Sequence, residues 1–311
     1  MEEKIWDLII VGAGPSALTA AIYTSREDIS TLILEKGVIG GLMATIDKME
    51  NYPGFPNGVE GLNLAMDFQV QAERFGAKID FAEVQNIAKN NNGIFEISTD
   101  GDKYFAKTVL IATGNDYRKI GISGEENAHY CATCDGAYYK GKKLAVIGGA
   151  NTAVQEAIYL TKFATHVDLV VRSYIKATEI LKKELQSYIA DGKITLHEGV
   201  TPDEIIAENG KVIELIAHKT DDPEDKKVFA IDGVFVFAGT VPNSKFLTNS
   251  EVKLDEAGHI LTDENLMTDV AGLFASGDVH SGAEKQVTVA TGEGTTAALN
   301  IREYLHDLDR K

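Results

Sequence analysis

The chain has two cysteines, Cys131 and Cys134, spaced as Cys131-Ala132-Thr133-Cys134, with Asp135 next in line. A C-x-x-C pair lowers the pKa of a thiol and yields a thiolate that can attack a disulfide. A carboxyl beside it, here Asp135, could carry the proton that such exchange requires. The same spacing also admits inert thiols or part of a metal site. His129, Cys131 and Cys134 would give three ligands, but no second C-x-x-C or H-x-H pair completes a closed zinc site. No metal is therefore expected. Two cysteines this close cannot staple a chain of 311 residues. In a reducing compartment they suggest redox chemistry.

A second kind of chemistry is written in glycines. Gly12-Ala13-Gly14-Pro15-Ser16-Ala17 follows the apolar run Leu8–Val11 and precedes a helical pattern reaching about Ser25. A G-x-G-x-x-[GA] turn between strand and helix lets the backbone approach a pyrophosphate seated on the helix N-terminus. Glu35 ends the next strand, Thr31–Glu35, where a carboxylate can accept from a ribose hydroxyl. The arrangement predicts an adenine dinucleotide.

The pattern then recurs at an offset of 136 residues, Gly12 onto Gly148, Ala17 onto Ala153 and Ala21 onto Ala157. Lys143–Ile147 is the strand, and Gly148-Gly149-Ala150-Asn151-Thr152-Ala153 opens a helix to about Phe163. This copy is poorer. Ala150 puts a methyl where the backbone should meet the phosphate. The second strand, Val167–Val171, ends without an acid, in Val171-Arg172-Ser173 with Lys176 nearby. A missing carboxylate with a guanidinium close by suits a 2′-phosphate, hence NADP(H) rather than NAD. The other reading of this copy is a scaffold that has lost its dinucleotide.

Elements must hold these turns in place. An amphipathic helix is expected over 60–76, with Leu62, Leu64, Phe68, Val70 and Phe75 among its apolar positions. Short β-prone runs over 79–112 are broken at Asn90–Gly93 and Asp100-Gly101, and a buried strand runs through Ala112-Thr113 to Gly114. The second copy continues with a helix over 177–191, β-prone runs at 194–198, 204–218 and 228–237, and a closing strand to Gly239. The tail holds an extended Gly272–Asp278 and a long helix over about 286–305. The fold expected is α/β, with two Rossmann-like dinucleotide-binding domains, the second inserted into the first. The boundaries are 1–116 with 244–311 for a discontinuous first domain, and 117–243 for a second carrying the cysteines.

Composition bounds the rest. With 30 basic and 47 acidic residues the formal net charge is −17, which opposes binding to a phosphate backbone, so no nucleic acid is expected. No apolar run approaches the roughly 18 residues of a spanning helix. The N-terminus lacks the layout of a secretory signal, and a cytoplasmic protein is expected.

Cys131-Ala132-Thr133-Cys134-Asp135-Gly136, set between two dinucleotide motifs, resembles the low-molecular-weight thioredoxin reductases of bacteria and archaea, FAD-dependent pyridine nucleotide-disulfide oxidoreductases. The likeness runs along nearly the whole chain. Gly12–Pro15 resembles the flavin fingerprint of that family. Gly40-Gly41 and Glu50-Asn51-Tyr52-Pro53-Gly54-Phe55 resemble its flavin-contacting segment. Ala112-Thr113-Gly114, Gly239–Asn243, Gly277-Asp278 and Lys285-Gln286-Val287 fall where the family has its own versions.

The resemblance implies FAD in the discontinuous domain. It would be held by Gly12, Gly14, Pro15, Ser16, Ala17, Glu35, Lys36, Gly41, Leu42, Asn51, Ala112, Thr113 and Gly114, and by Gly277, Asp278, Lys285, Gln286 and Val287 from the tail. Asp278 would take a ribityl hydroxyl, and the N-terminus of the 286–305 helix would face the pyrimidine edge of the flavin. NADPH would sit on Gly148, Gly149, Ala150, Asn151, Thr152, Arg172 and Lys176. Cys134 would lie next to the flavin, Cys131 would attack the disulfide of thioredoxin or a similar small protein, and Asp135 would be the acid/base. A homodimer is implied. One C-x-x-C must serve both flavin and protein partner, so the crossings near Gly114–Ile120 and Gly239–Asn243 are expected to be hinges.

The sequence also departs from the family. Leu42 stands where Gln is usual and Lys285 where Arg is usual. Ala150 replaces a glycine, and Arg172 with Lys176 stands for three guanidinium groups, without the bidentate fork of the missing ones. The donor is thus open between NADPH, NADH and a reduced ferredoxin or other carrier. A non-catalytic flavoprotein redox sensor is the remaining alternative, opposed by the intact Cys-x-x-Cys-Asp.

Overall fold

The computed structural model describes residues 4–46, 49, 51–248 and 250–310, apart from the side chains of Thr133, Cys134 and Asp309. Contacts divide the chain into two compact units, Met1–Asp116 with Val241–Lys311, and Tyr117–Thr240.

The first unit opens with β1 (Ile5–Val11), α1 (Pro15–Ser25) and β2 (Thr31–Glu35). It continues through α2 (Gly61–Arg74), β3 (Lys78–Phe81), β4 (Val84–Lys89), β5 (Phe95–Thr99) and β6 (Lys103–Ile111). The sheet order is β3-β2-β1-β6-β5-β4, with β1 parallel to both β2 and β6. Strands covered on both faces read as unbroken apolar runs, and Leu8–Val11 of β1 and Leu32–Leu34 of β2 do so. Leu8, Ile10, Ile33 and Leu110 pack with Ala17, Ala20 and Ala21 of α1. Ile9, Val11, Leu34 and Val109 point to the opposite face, with Phe95 and Ile97.

The chain leaves this unit along β7 (Asn115–Tyr117) and enters the second. There a single helical turn, α3 (Ala132–Asp135), carries the cysteine motif, followed by β8 (Lys143–Ile147), α4 (Asn151–Leu160), β9 (His166–Val171), α5 (Glu179–Ala190) and β10 (Ile194–Glu198). Next come β11 (Val200–Glu208), β12 (Lys211–Lys219), β13 (Asp222–Ala230) and β14 (Gly233–Val236). A parallel sheet runs β10-β9-β8-β14, and β11-β12-β13 form an antiparallel meander. The expected single run over 204–218 is two strands, because Asn209 and Gly210 both take positive φ and make a hairpin turn.

The return path is β15 (Thr240–Pro242), paired with β7, then β16 (Leu273–Ala275), parallel beside β6, and α6 (Val287–Asp309). Helix α6 lies against α1 so closely that a Cβ at Gly294 would stand 2.2 Å from the Ser16 carbonyl oxygen. The compact units part at Thr240/Val241, three residues before the expected boundary at 243/244. Asn243 explains the difference. Its N–H donates to the Gly114 carbonyl (2.9 Å) and its amide to the Thr113 carbonyl (3.1 Å) and Asp116 Oδ1 (3.0 Å), which ties it to the first unit. No helix among the described residues is long and apolar enough to cross a membrane.

Candidate active site

In the first unit the candidate residues gather at the C-terminal ends of β1, β2, β6 and β16. The strand order reverses between β1 and β6, the position where open α/β sheets bind ligands. Gly12 has φ +98°, and a Cβ there would lie 2.6 Å from the Ala112 carbonyl oxygen, so only glycine fits. Gly14 differs, since its Cβ position has nothing of this chain within 4 Å. Gly14 is the N-cap of α1 and Pro15 follows at the helix start, with no side-chain cap and no acid in the first turn. The structure thus leaves space and unsatisfied amide donors where an anion would rest.

Glu35 closes the turn from behind. Its Oε2 accepts from the Ala13 N–H and its Oε1 from the Gly37 N–H, both at 2.7 Å. Each oxygen keeps a lone pair for a hydroxyl. The next segment returns to the same turn: the Gly40 N–H donates to the Ala13 carbonyl (2.8 Å), and the Cβ position of Gly41 is 3.9 Å from Gly14 Cα. Leu42 follows in a short 3-10 turn and is half-buried, whereas Lys36 is exposed, with its Nζ 4.0 Å from Asp116 Oδ2. The segment likened to a flavin contact includes Glu50, which lies outside the described residues. Asn51 is described, and its amide donates to Gln286 Oε1 at 3.1 Å.

The tail completes this constellation. Ser16 Oγ and Ser276 Oγ are 2.6 Å apart and buried. The Gly277 N–H donates to Glu293 Oε2 (2.7 Å), and Glu293 Oε1 lies 3.1 Å from His280 Nε2. Between them stands Asp278, whose carboxyl is pushed above the ordinary range chiefly by burial, with Glu293 adding to the rise and Lys285, His280 and His259 opposing it. Val287 starts α6 after the Gln286 N-cap, again with no side-chain cap and no acid in the first turn. Thr113 donates to the Asn243 carbonyl at 2.7 Å, which fixes the end of β6.

In the second unit Gly148 repeats the role of Gly12. Its φ is +143°, and a Cβ would meet the Phe237 carbonyl oxygen at 2.4 Å. Gly149 is hemmed in by Val171 Cγ1. Ala150, the N-cap of α4, is exposed and carries its methyl at the helix N-terminus, the position of Gly14 in the first unit. The Asn151 side chain is engaged by the chain itself, accepting from the Thr178 N–H at 2.8 Å, while Thr152 is exposed. Arg172 and Lys176 are exposed at the end of β9. The Lys176 N–H donates to the Gly149 carbonyl (2.7 Å), and its Nζ stands 5.5 Å from the ring centroid of exposed Tyr174.

Sequence reasoning did not single out Glu156. It sits in α4 among buried Ala153, Val154, Ala157 and Ile158, with Oε2 buried and without a hydrogen-bond partner. Burial pushes its carboxyl upward. Helical periodicity assigns the neighbouring Gln155 and Glu156 alike to a polar face, so pattern alone gives no signal for it.

Around the cysteines the chain is held tightly. Cys131 is disulfide-bonded, and the chain's other cysteine is Cys134, whose side chain lies outside the described residues. Ahead of the pair, Glu125 accepts from Tyr130 Oη (2.5 Å) and from the N–H groups of Ile120 and Gly121 (both 2.8 Å). Burial works to raise its carboxyl, but these bonds and Lys119 hold it below the ordinary range. The Tyr130 hydroxyl is correspondingly pushed up by burial and by Glu125. The Asp135 N–H donates to the Cys131 carbonyl (3.2 Å), and Asp135 Oδ2 lies 2.9 Å from His129 Nδ1. His129, counted from sequence as a possible third metal ligand, has its other ring nitrogen 2.7 Å from Tyr139 Oη. Tyr138 points outward, 83% exposed, three residues past Asp135.

Comparison with known proteins gives the same picture from outside. A family profile described as pyridine nucleotide-disulphide oxidoreductase matches residues 6–294. A thioredoxin reductase of Bacillus subtilis (strain 168) is 39% identical over 314 residues, covering 99% of this chain and 97% of that protein. Among solved structures, the thioredoxin reductase of Lactococcus lactis in its FR conformation superposes with a TM-score of 0.83 at 34% identity, covering 97% of this chain and 99% of that one. The T. acidophilum thioredoxin reductase gives 0.81 at 35% identity, covering 98% and 100%.

Proposed function

Because the chain belongs to the pyridine nucleotide-disulphide oxidoreductase family, we propose that it is an FAD-dependent thioredoxin reductase, passing electrons from NADPH through the Cys131–Cys134 disulfide to thioredoxin or a similar small protein. The observation that carries the reading is the disulfide-bonded Cys131 one turn from Asp135, in a chain with two strand–glycine–helix turns.

The residues of the first unit fit FAD. Gly12 and Gly14 would admit the pyrophosphate, the α1 amides would bind it, Glu35 would accept from a ribose hydroxyl and Asp278 from the ribityl chain. Ser16, Ala17, Lys36, Gly41, Leu42, Asn51, Ala112–Gly114, Gly277 and Lys285–Val287 complete the site. FAD supplies two-electron transfer between a nicotinamide and a disulfide. Reduction of the Cys131–Cys134 disulfide requires protons as well as electrons, and Asp135 donates one to the sulfur that leaves. The Cys131 thiolate then attacks the partner disulfide, forming a mixed disulfide and releasing one partner sulfur. Cys134 attacks Cys131, which restores the internal disulfide and frees the partner as a dithiol. Exposed Tyr138 beside the motif supports docking of a protein there.

Gly148, Gly149, Ala150, Asn151, Thr152, Arg172 and Lys176 are assigned to NADPH. A second donor reading rests on Ala150, whose methyl narrows the approach of a phosphate: NADH or a reduced carrier such as ferredoxin would then feed the same flavin. Anaerobic titration of the flavin spectrum with NADPH and NADH, followed by oxidised thioredoxin, tests both. Bleaching by neither nucleotide overturns the NADPH assignment, and a bleached enzyme that leaves thioredoxin oxidised overturns the activity.

A cytoplasmic homodimer is part of this reading. It is supported by an apolar stripe on α2, where Leu62, Met66 and Val70, spaced at i, i+4 and i+8, are all exposed.

A further inference from the structure

Beside the cysteines lies a hydrogen-bonded chain of three side chains, Asp135, His129 and Tyr139. Asp135 Oδ2 is 2.9 Å from His129 Nδ1, and His129 Nε2 is 2.7 Å from Tyr139 Oη. The half-buried imidazole is held by several contacts. Its ring stacks on Phe235 with centroids 5.1 Å apart and planes at 29°. Its backbone bridges to β14, His129 N–H to the Val234 carbonyl (2.9 Å) and Val236 N–H to the His129 carbonyl (2.8 Å). Tyr139 is held in turn, because Gly233 leaves it room: a Cβ there would stand 2.5 Å from Tyr139 Cε1.

Orientation of the protons follows from the network. A carboxylate can only accept, so Nδ1 carries a proton toward Asp135. The Tyr139 hydroxyl, kept protonated by burial and by the charges of Asp135 and Asp232, then donates to Nε2. In this arrangement the imidazole is held in one tautomer and presents a fixed N–H to the carboxylate. The charged groups acting on the Tyr139 hydroxyl are Asp135 and Asp232, the latter held by Lys142 Nζ (3.0 Å) and the Lys143 N–H (2.9 Å).

We infer that His129, with its tautomer set by Tyr139, is a positioning residue for Asp135: it fixes the carboxyl that follows the cysteine motif in one orientation and stabilises it as a carboxylate once its proton has gone to a departing sulfur. This rests on the assignment of Asp135 as the acid/base of exchange. A positioned acid contributes roughly 10²–10⁴-fold to such a step, and losing one hydrogen bond to a charged partner removes part of that.

The test uses the flavin-loaded enzyme, reduced anaerobically and mixed with oxidised Bacillus subtilis thioredoxin. His129→Phe keeps a ring on Phe235 but has no nitrogen, whereas His129→Asn keeps an N–H near the Nδ1 position. The expected result is a roughly tenfold slower exchange in His129→Phe, read as kcat with KM for thioredoxin unchanged. The pH dependence should alter in the same sense as in Asp135→Asn. His129→Asn should recover to within about threefold of the parent, and flavin content should stay at the parent level throughout. A slow Asp135→Asn beside a His129→Phe of parental rate and pH profile overturns the role of His129 alone. A parental rate in Asp135→Asn overturns the acid/base assignment, and this inference with it. A slow His129→Phe that His129→Asn fails to rescue also overturns it, since the lost interaction would then not be the N–H.

Discussion

Ser16 and Ser276, 260 residues apart in sequence, meet hydroxyl to hydroxyl at 2.6 Å in a place closed to water. The bond ties the start of α1 to the tail segment that presents Asp278. The proposed flavin site draws on both the glycine turn and the tail, and this contact is one of those that join them.

Ser276→Ala leaves the Ser16 hydroxyl buried without a partner and is expected to destabilise the protein by about 1–2 kcal/mol. FAD affinity should fall with it, because the segment carrying Asp278 is loosened. Thermal unfolding with and without excess FAD checks both. A variant of unchanged stability that retains its flavin through gel filtration would show that the contact is incidental.

Cys131→Ser and Cys134→Ser are each expected to abolish thioredoxin reduction while leaving flavin content at the parent level, since the residues proposed to hold the flavin and the cysteines lie in different units. Cys134→Ser should accumulate a covalent adduct with thioredoxin through Cys131, visible by non-reducing electrophoresis and dissolved by dithiothreitol. Turnover by that variant would break the assigned relay.

Glu125 supplies the clearest pH signature. Its carboxyl is held below the ordinary value of 4.5 in the folded chain. Unfolding therefore takes up a proton in the window just below that value, and the stabilisation from Glu125 is present above it and is lost as pH falls through the folded value. Replacing it with Gln should cost about 1–3 kcal/mol at pH 7, the scale of hydrogen bonds lost to a charged acceptor, and progressively less toward acid. Unfolding midpoints in denaturant from pH 3 to pH 7 measure the difference, and a pH-independent gap would contradict the assignment.

Arg172→Ala should raise KM for NADPH about tenfold with kcat little changed, because the group acts on binding and not on hydride transfer. Ala150→Gly should move KM the other way, by removing the methyl at the N-terminus of α4. Steady-state kinetics with both nucleotides decides. If the two variants leave NADPH and NADH equally used, the second glycine turn does not bind the donor.

Much of this is legible in the sequence. The runs Leu8–Val11 and Leu144–Ile147 are apolar on both faces, so their strands and the glycine turns after them announce themselves. What escaped notice depends on contacts across the chain. Asn243 looks like a linker residue until its bonds to Thr113 and Asp116 place it in the first unit. His129 offers a sequence reader a metal ligand, and only its distances to Asp135 and Tyr139 show how its two nitrogens are used. Glu156 follows helical periodicity in the ordinary way, and nothing in its neighbours' types shows that burial leaves it without a partner. The Asn209-Gly210 turn, by contrast, was there to be read and splits a run that looks continuous by composition alone.

The pairing of β7 with β15 has a consequence for how the protein is made. A ribosome delivers the chain from one end, and every residue of the inserted unit is available once Thr240 has emerged. The host unit at that moment still lacks β16 beside β6 and α6 against α1. The guest can therefore mature first, and in doing so it brings its own two ends together as adjacent strands. Closing so long a loop costs entropy that grows only slowly with length, and the guest's folding meets that cost before the host needs it met. The returning chain is delivered beside the strand it must join, so a domain interrupted by more than a hundred residues of sequence can close as if the interruption were a short turn.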